Sequence, residues 1–316
     1  MANHLKIIGE AYEKFNDTNT SVSANKEPDP YRAMKRYFLS SEQKDQCKNA
    51  SLVLGGIAHD INEKSIVENI SIDEAIADKK IQHKINSYVS IDMKDQMKFE
   101  FGIKFLKDIC ENHNKNIKEL PDKKWKKEIE HIKWIEPVNV PFRMYVDLTG
   151  DTYINDLKNK FPSVKHYPLK KVKKDIDKQY PGKKLDTKKE NPNRIGDWVC
   201  SHPKLDARVF TSDLMQIALY SHTTGLKPSL SYASATDRIL FTEDNCEELR
   251  PENLKKSLQE LIVYEIAWEK KLKAANGSIE ELLWLCPPDF SELRKGSFWW
   301  NGVPKKFMED YLKTYV

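Results

Sequence analysis

Apolar residues recur along this chain in two different periods, and the switch between them divides it. Residues 1–30 carry neither period. Asn16-Asp17-Thr18-Asn19-Thr20-Ser21, then Pro28 and Pro30, supply turn formers, so a polar arm is expected there. Helical character begins near Tyr31, recurs from Leu54 to about Ala77, and returns from about Ile91 to Asn112. In that last stretch Phe99, Phe101, Ile103, Phe105, Leu106 and Ile109 give one apolar side. A lysine-rich connection, Lys115 to Lys127, follows, and the period then drops to two. Val138, Val140, Phe142, Met144 and Val146 alternate with Asn139, Pro141, Arg143, Tyr145 and Asp147, as in a half-buried strand that Pro141 dents or places at an edge. Thr149-Gly150-Asp151-Thr152 reads as a tight turn, and Tyr153 to Lys158 as a second strand returning in a hairpin.

Residues 159–198 lose the pattern. From Lys158 to Lys189 twelve lysines stand against three aspartates, Asp175, Asp177 and Asp186, so a basic insert is expected. Order resumes at Thr211-Ser212-Asp213, a cap-like helix start, and that helix stops near Gly225. Leu230 to Ala235 and Ile239 to Phe241 read as strands. Pro251 to Ala275 is the clearest helix, with Leu254, Leu258, Leu261, Ile262, Trp268 and Leu272 near one face and Gly277 as the stop. The tail, residues 276–316, carries Trp284, Phe290, Phe298, Trp299 and Trp300, too aromatic for a disordered tag. The expected organisation is an arm over 1–30, a main domain over 31–275 containing the insert, and an aromatic appendage over 276–316 packed on the body.

Composition sharpens this picture only a little. Apolar residues make up 39% and charged residues 32% of 316, so the surface must be densely ionic around a modest core. A net charge of +4 does not announce a polyanion partner; the clustering of lysines matters more. No apolar run approaches the ~18 residues of a membrane span, and the N-terminus lacks the apolar segment of a signal peptide, so a cytoplasmic protein with no membrane partner is expected. The five cysteines are scattered, without a C-x-x-C pair, which predicts neither a disulfide framework nor structural zinc; Cys200-x-His202 has no second pair nearby.

The chemistry concentrates in the hairpin. Side chains two apart on a strand share a face, roughly 6.6 Å apart, which puts Asp156 with Lys158. Asp147 on the preceding strand points away from Phe142, Met144 and Val146. Two carboxylates and an ammonium meeting at one place are the parts that phosphodiester hydrolysis needs. Carboxylates hold Mg²⁺ or Mn²⁺, the cation polarises phosphate and acidifies water, and a lysine stabilises developing charge. Taken alone, D-x-K is usually a surface ion pair, and a histidine behind two glycines, as in Gly55-Gly56-Ile57-Ala58-His59, is usually a capping or surface residue. Glu63, one turn later, reads as a solvated carboxylate. Gln216 and Tyr220, four apart on a helix, project from one side.

The series Gly55-x-x-x-His59, Asp147, Asp156-x-Lys158 and Gln216-x-x-x-Tyr220, in that order over residues 54–235, resembles the RecB-like branch of the PD-(D/E)XK nucleases, particularly phage-type exonucleases and CRISPR-associated adaptation nucleases. The resemblance implies an α/β fold: a central mixed β-sheet flanked by helices, the restriction-endonuclease-like core, here with a helical N-terminal part. It implies Asp147, Asp156 and Lys158 as catalytic residues, and His59, Asp147, Asp156 and the Leu157 carbonyl as ligands of Mg²⁺ or Mn²⁺. Gln216 and Tyr220 would position DNA or brace the site. The chain departs from the family at Met144, where glycine is common, and at Asn159, where threonine or serine often follows the lysine. It also lacks the cysteine cluster of the iron–sulfur relatives, so no such cluster is expected. The partner implied is DNA, cut from its ends, with a phage recombination or replication protein as a further partner and the oligomeric state open. Lys170, Lys171, Lys173 and Lys174 would clamp the phosphate backbone, and His166, Tyr167, Tyr180 and Trp198 would stack on unpaired bases. A structure-selective repair endonuclease, a degenerate DNA-binding accessory protein and an RNA substrate remain as alternatives.

Overall fold

The computed structural model describes residues 7–90, 92–168, 171, 174, 191–295, 299–300 and 302–315. The chain is α/β. Its centre is a mixed five-stranded sheet of β1 (Lys126–Lys133), β2 (Phe142–Thr149), β3 (Tyr153–Asn159), β7 (Lys227–Ala233) and β8 (Arg238–Thr242), in the order β1-β2-β3-β7-β8. Neighbours run antiparallel except β3 and β7, which are parallel, with Asp156 opposite Leu230 and Lys158 opposite Tyr232. A second sheet, β4 (Ser163–His166), β6 (Trp198–Ser201) and β5 (Arg194–Ile195), gives the described part of the basic insert its own antiparallel structure.

Helices cover both faces. On one side lie α1 (Ala50–Glu68) and α3 (Leu106–Glu119), whose Ile66, Val67, Ile117 and Leu120 pack on Leu148, Tyr153 and Leu157. The Asn49 side chain caps α1 by accepting from Leu52 N, and Asn69 ends it at φ +53°. A neighbouring helix, α2 (Met93–Lys104), approaches α1 so closely that a Cβ at Gly102 would lie 2.2 Å from Leu54 Cδ1. The expected single stretch from Ile91 to Asn112 is thus two helices, α2 and α3. On the other face α4 (Thr211–Thr224) and α5 (Pro251–Ala275) pack over Phe142, Met144, Val146, Ile154, Leu230 and Tyr232. The buried stripe of α5, Leu254, Leu261, Trp268, Leu272 and Ala275, follows the apolar period read from the sequence. From the tail, Trp300, Phe307 and Tyr311 are buried in the same cluster, while Phe298 lies outside the described residues.

Three expectations need correcting. β1, which overlaps the lysine-rich connection only at Lys126 and Lys127, was not foreseen because an exposed edge strand has little apolar patterning to display. The extended alternation from Val138 begins its pairing only at Phe142, because the Pro141 carbonyl accepts from Thr20 N. Residues 9–33 are not a free arm either. Tyr12, Phe15, Val22 and Tyr31 are buried, Thr20 bridges Phe142, and the segment ends on a hub at Glu265 of α5. That carboxylate is fully buried and accepts from Tyr12 Oη (2.8 Å), Thr20 Oγ1 (3.0 Å), Asn25 Nδ2 (2.7 Å) and Arg32 Nη2 (3.1 Å). The Arg32 guanidinium lies 4.2 Å from the Trp268 ring centroid. Of the polar residues that suggested an arm, Thr20 is a donor to this buried acceptor, and Asp17 is itself buried, accepting from Arg36 and Tyr37.

Removing one member of a buried ion pair typically costs about 3–5 kcal/mol, because its partner is left as an uncompensated charge. Glu265→Ala should therefore lower the free energy of urea unfolding by about that much, and Glu265→Ala combined with Arg32→Met should recover part of the loss. A change under about 1 kcal/mol in the single variant would refute the hub's role.

Candidate active site

The hairpin β2–β3 does not pair along its whole length. The register runs through Thr149↔Ile154 and Leu148↔Asn155 and stops, and in place of the next backbone acceptor Asp147 Oδ2 takes Leu157 N–H at 2.8 Å. Burial along β2 loses its alternation at the same place: Val146, Asp147 and Leu148 are all buried. Val146 packs with the α5 cluster and Leu148 with that of α3. Opposite, across β1, Glu128 adopts φ +40°. A local distortion of this kind re-aims a side chain, as β-bulges do, and the side chain re-aimed here is Asp147.

On the α1 side of the split, the Leu157 carbonyl lies 2.9 Å from His59 Nε2, and His59 Nδ1 lies 3.5 Å from Asp147 Oδ2. Glu63, one helical turn beyond His59, joins them: His59, Glu63 and Asp147 each offer a ligand atom within 4.8 Å of the others. Glu63 is only 6% exposed, and burial pushes its carboxyl up to about 8, with Glu128, Asp147 and Asp60 adding to the rise. The solvated carboxylate expected at this position is instead part of the cluster.

On the α4 side, Asp156 and Lys158 share the face that their two-residue spacing predicts, with Lys158 Nζ 2.6 Å from Asp156 Oδ2. Beyond that ion contact, neither oxygen of Asp156 has a hydrogen-bond donor among the described residues, and the residue is 1% exposed. Burial therefore raises its carboxyl, and Asp147 raises it further, against the pull of Lys158. Burial opposes the charge on Lys158 in turn, but Asp156, Asp213 and Asp147 outweigh it and keep the ammonium firmly protonated. Gln216 Oε1 accepts from Lys158 Nζ at 3.0 Å, and Gln216 Nε2 donates to Tyr220 Oη at 2.7 Å. The family-like pair thus forms a relay that fixes the lysine.

Two participants were not foreseen. Lys26, from the N-terminal segment, donates to Gln216 Oε1 (2.6 Å) and to Asp213 Oδ1 (3.3 Å). Burial and the neighbouring Lys158 lower its pKa. Asp213, read as a helix cap, instead accepts from Tyr232 Oη (2.6 Å) and lies 3.6 Å from Lys158 Nζ; the residue before α4, Phe210, caps nothing with its side chain. The i, i+3 spacing of Asp213 and Gln216 on one helix face carried this signal. The position of Lys26, far away in sequence, gave none.

The expected phosphate clamp is placed only in part. Lys171 and Lys174 are exposed, with Lys171 Nζ 5.6 Å from the Tyr167 ring, whereas Lys170, Lys173 and Tyr180 lie outside the described residues. His166 and Trp198 pack on each other, ring centroids 5.1 Å apart. A cavity of about 790 Å³ between α4 and α5, lined by Trp134, His222, Pro228, Leu254, Leu258 and Ile262 among others, contains none of the site residues. The five cysteines are buried and unpaired. Among the described residues no helix is long and apolar enough to cross a membrane.

Behind the site, His113 of α3 is fully buried, its Nε2 donating to Asn159 Oδ1 (3.1 Å) and its Nδ1 accepting from Ser231 Oγ (2.7 Å). Asn159, the residue after the lysine, is therefore tied to α3. Burial, helped by the charge of His59, pushes His113 down to about 3. The unfolded chain takes up this proton near 6.5, and the folded protein only near 3, so stability is present above 6.5 and is lost as pH falls between the two values. Unfolding free energies measured from pH 7 to 5 should fall more steeply for the wild type than for His113→Gln, by about 1.4 kcal/mol per pH unit below 6.5. Superimposable pH slopes for the two proteins would contradict this.

Compared with known proteins, the chain matches no protein-family model, no curated protein and no solved structure.

Proposed function

We propose that this protein is a Mg²⁺- or Mn²⁺-dependent DNA nuclease built on a restriction-endonuclease-like core. The observation that carries the reading is the meeting of the His59 ring, Asp147 and the Leu157 carbonyl on one side of the split hairpin, with Asp156 and Lys158 on the other. A central mixed sheet flanked by helices supports the reading; the restriction-endonuclease-like core itself belongs to the proposal.

The donor set fits a hard divalent cation. His59, Glu63 and Asp147 each offer a ligand atom within 4.8 Å of the others, a spread that one divalent cation would bridge. The Asp156 carboxylate is buried with Lys158 as its one close counter-charge, and a divalent cation would further offset the cost of burying it. When bound, Mg²⁺ or Mn²⁺ supplies Lewis-acid polarisation of the phosphate and acidification of a water molecule.

The remaining roles belong to the chain itself. Asp147 stands with His59 and Glu63 and Asp156 with Lys158, the two carboxylates near enough for the charge of Asp147 to act on Asp156. Lys158 holds a permanent positive charge beside them, aimed by Gln216 and Tyr220, where it stabilises negative charge growing on the phosphoryl oxygens. Lys26 and Asp213 complete the lysine's surroundings, so its ammonium cannot swing into solvent without breaking several contacts. The end-directed mode of attack, and hence the exonuclease reading, rests on the family resemblance.

Incubation of end-labelled linear DNA with Mg²⁺, Mn²⁺ or chelator tests this directly. Cleavage should need the cation, and Lys158→Ala should slow it by about 10²–10³, the usual loss for one transition-state donor. Mn²⁺ should raise the melting temperature of the wild type but not of Asp147→Asn, a variant that keeps an acceptor for Leu157 N–H. Cleavage unaffected by chelator, or equal in Lys158→Ala, would sink the proposal. Covalently closed circles should survive; if they are cut, the enzyme is an endonuclease at the same site.

A further inference from the structure

Next to the site stands an arrangement that the reaction above does not use. Phe210, the residue immediately before α4, leaves 46% of its surface exposed. Its ring lies nearly parallel to that of the buried Tyr232, at 15° and 6.2 Å between centroids, and Lys160 Nζ sits 4.4 Å from the first centroid and 5.2 Å from the second. This group is bonded to the site rather than merely close to it. Tyr232 Oη donates to Asp213, which lies against Lys158, and Phe210 N–H donates to the same Tyr232 oxygen at 3.4 Å. Lys160 extends the alternation of Asp156 and Lys158 past the end of β3, its own N–H paired with the Ala233 carbonyl at 2.8 Å. Two-residue spacing places it on the face of Lys158, roughly 6.6 Å further along.

An isolated exposed phenylalanine has no need of a function. This one differs in having an ammonium group over its ring and a link, through the Tyr232–Asp213 hydrogen bond and the Asp213–Lys158 ion contact, to the lysine next to the candidate metal ligands. An aromatic face beside a cation is the combination that holds an unpaired nucleotide: the ring stacks on any base, and the ammonium meets the phosphate that follows it.

Resting on the nuclease reading, we propose that Phe210 and Lys160 form the subsite for the nucleotide adjoining the scissile phosphate, with the base stacked on Phe210 and the next phosphate on Lys160, so that the strand enters unpaired. The occupant is single-stranded DNA, or a frayed strand at a duplex end. Stacking of this kind tolerates all four bases, so the subsite selects for an unpaired strand and not for sequence.

The test uses the full chain with a DNA duplex carrying a single-stranded tail, 2-aminopurine in the tail, and Ca²⁺ in place of Mg²⁺. The probe should be quenched on binding to the wild type. Phe210→Ala should lose the quench and bind about ten-fold more weakly, Phe210→Trp should restore both, and Lys160→Ala should reduce the salt slope of binding by about one. Melting temperatures are measured alongside; should Phe210→Ala prove unfolded, the Trp and Lys160 variants decide. The inference is overturned, with the nuclease reading intact, if the wild type cleaves with Mg²⁺ yet shows no quench, or if Phe210→Ala binds and quenches as the wild type does. A wild type that neither binds nor cleaves DNA removes both.

Discussion

The whole site depends on one residue's peptide groups. Leu157 sits in the middle of a buried sheet, where its N–H and C=O must find partners, yet β2 has moved out of pairing distance beside it. Side chains take the place of the missing strand: the Asp147 carboxylate accepts the N–H, and the His59 ring lies against the carbonyl. This substitution brings a helix and two strands to one point, and it leaves the Leu157 carbonyl facing a cluster of ligand atoms instead of a ladder partner. A complete β2–β3 ladder would have the same sequence motif and no space between Asp147 and Asp156.

The second constraint is carried by the N-terminal segment. Glu265 anchors Tyr12, Thr20, Asn25 and Arg32, and the short helix Val22–Lys26 between these anchors points Lys26 at Gln216 and Asp213. Gln216 Oε1 then receives two ammonium groups, which fixes its amide orientation and turns its Nε2 toward Tyr220. The aim of Lys158 is thus set partly by a residue on α5 that touches nothing in the site. Stability and chemistry are coupled here through ordinary buried hydrogen bonds, and loosening of the N-terminal segment would disorder Lys26 and Gln216 together.

What was legible in the sequence follows from what local patterns can encode. Period-two alternation gave the hairpin, and the spacing of Asp156 and Lys158 gave their shared face, because both depend only on strand geometry. The stripe of α5 was legible for the same reason. β1 was not, since an exposed edge strand has no buried face to write into its sequence. The N-terminal segment was misread because Asp17 and Thr20 of its polar run are bonded to buried partners, Arg36, Tyr37 and Glu265, and a polar run so bonded looks the same as a polar run in water. Glu63 and Lys26 fail on similar grounds. Nothing in a single sequence distinguishes a buried glutamate from an exposed one on the same helix turn, or says which of many lysines folds back onto the site.

On the nuclease reading proposed above, the charges of the site would tie the binding of a phosphodiester to that of a cation. Asp147, Asp156 and Asp213, with Glu63 whose carboxyl burial raises to about 8, stand around the two ammonium groups of Lys26 and Lys158. Buried carboxylates in that number would oppose the approach of an anionic backbone. Burial raises the Asp156 carboxyl, and Asp147 raises it further, against the pull of Lys158. A divalent cation would offset that repulsion and add a second counter-charge for Asp156 beside Lys158. On that proposed reading the lysines alone would be insufficient for productive binding, and the carboxylates beside a DNA backbone would make affinity for it conditional on the metal.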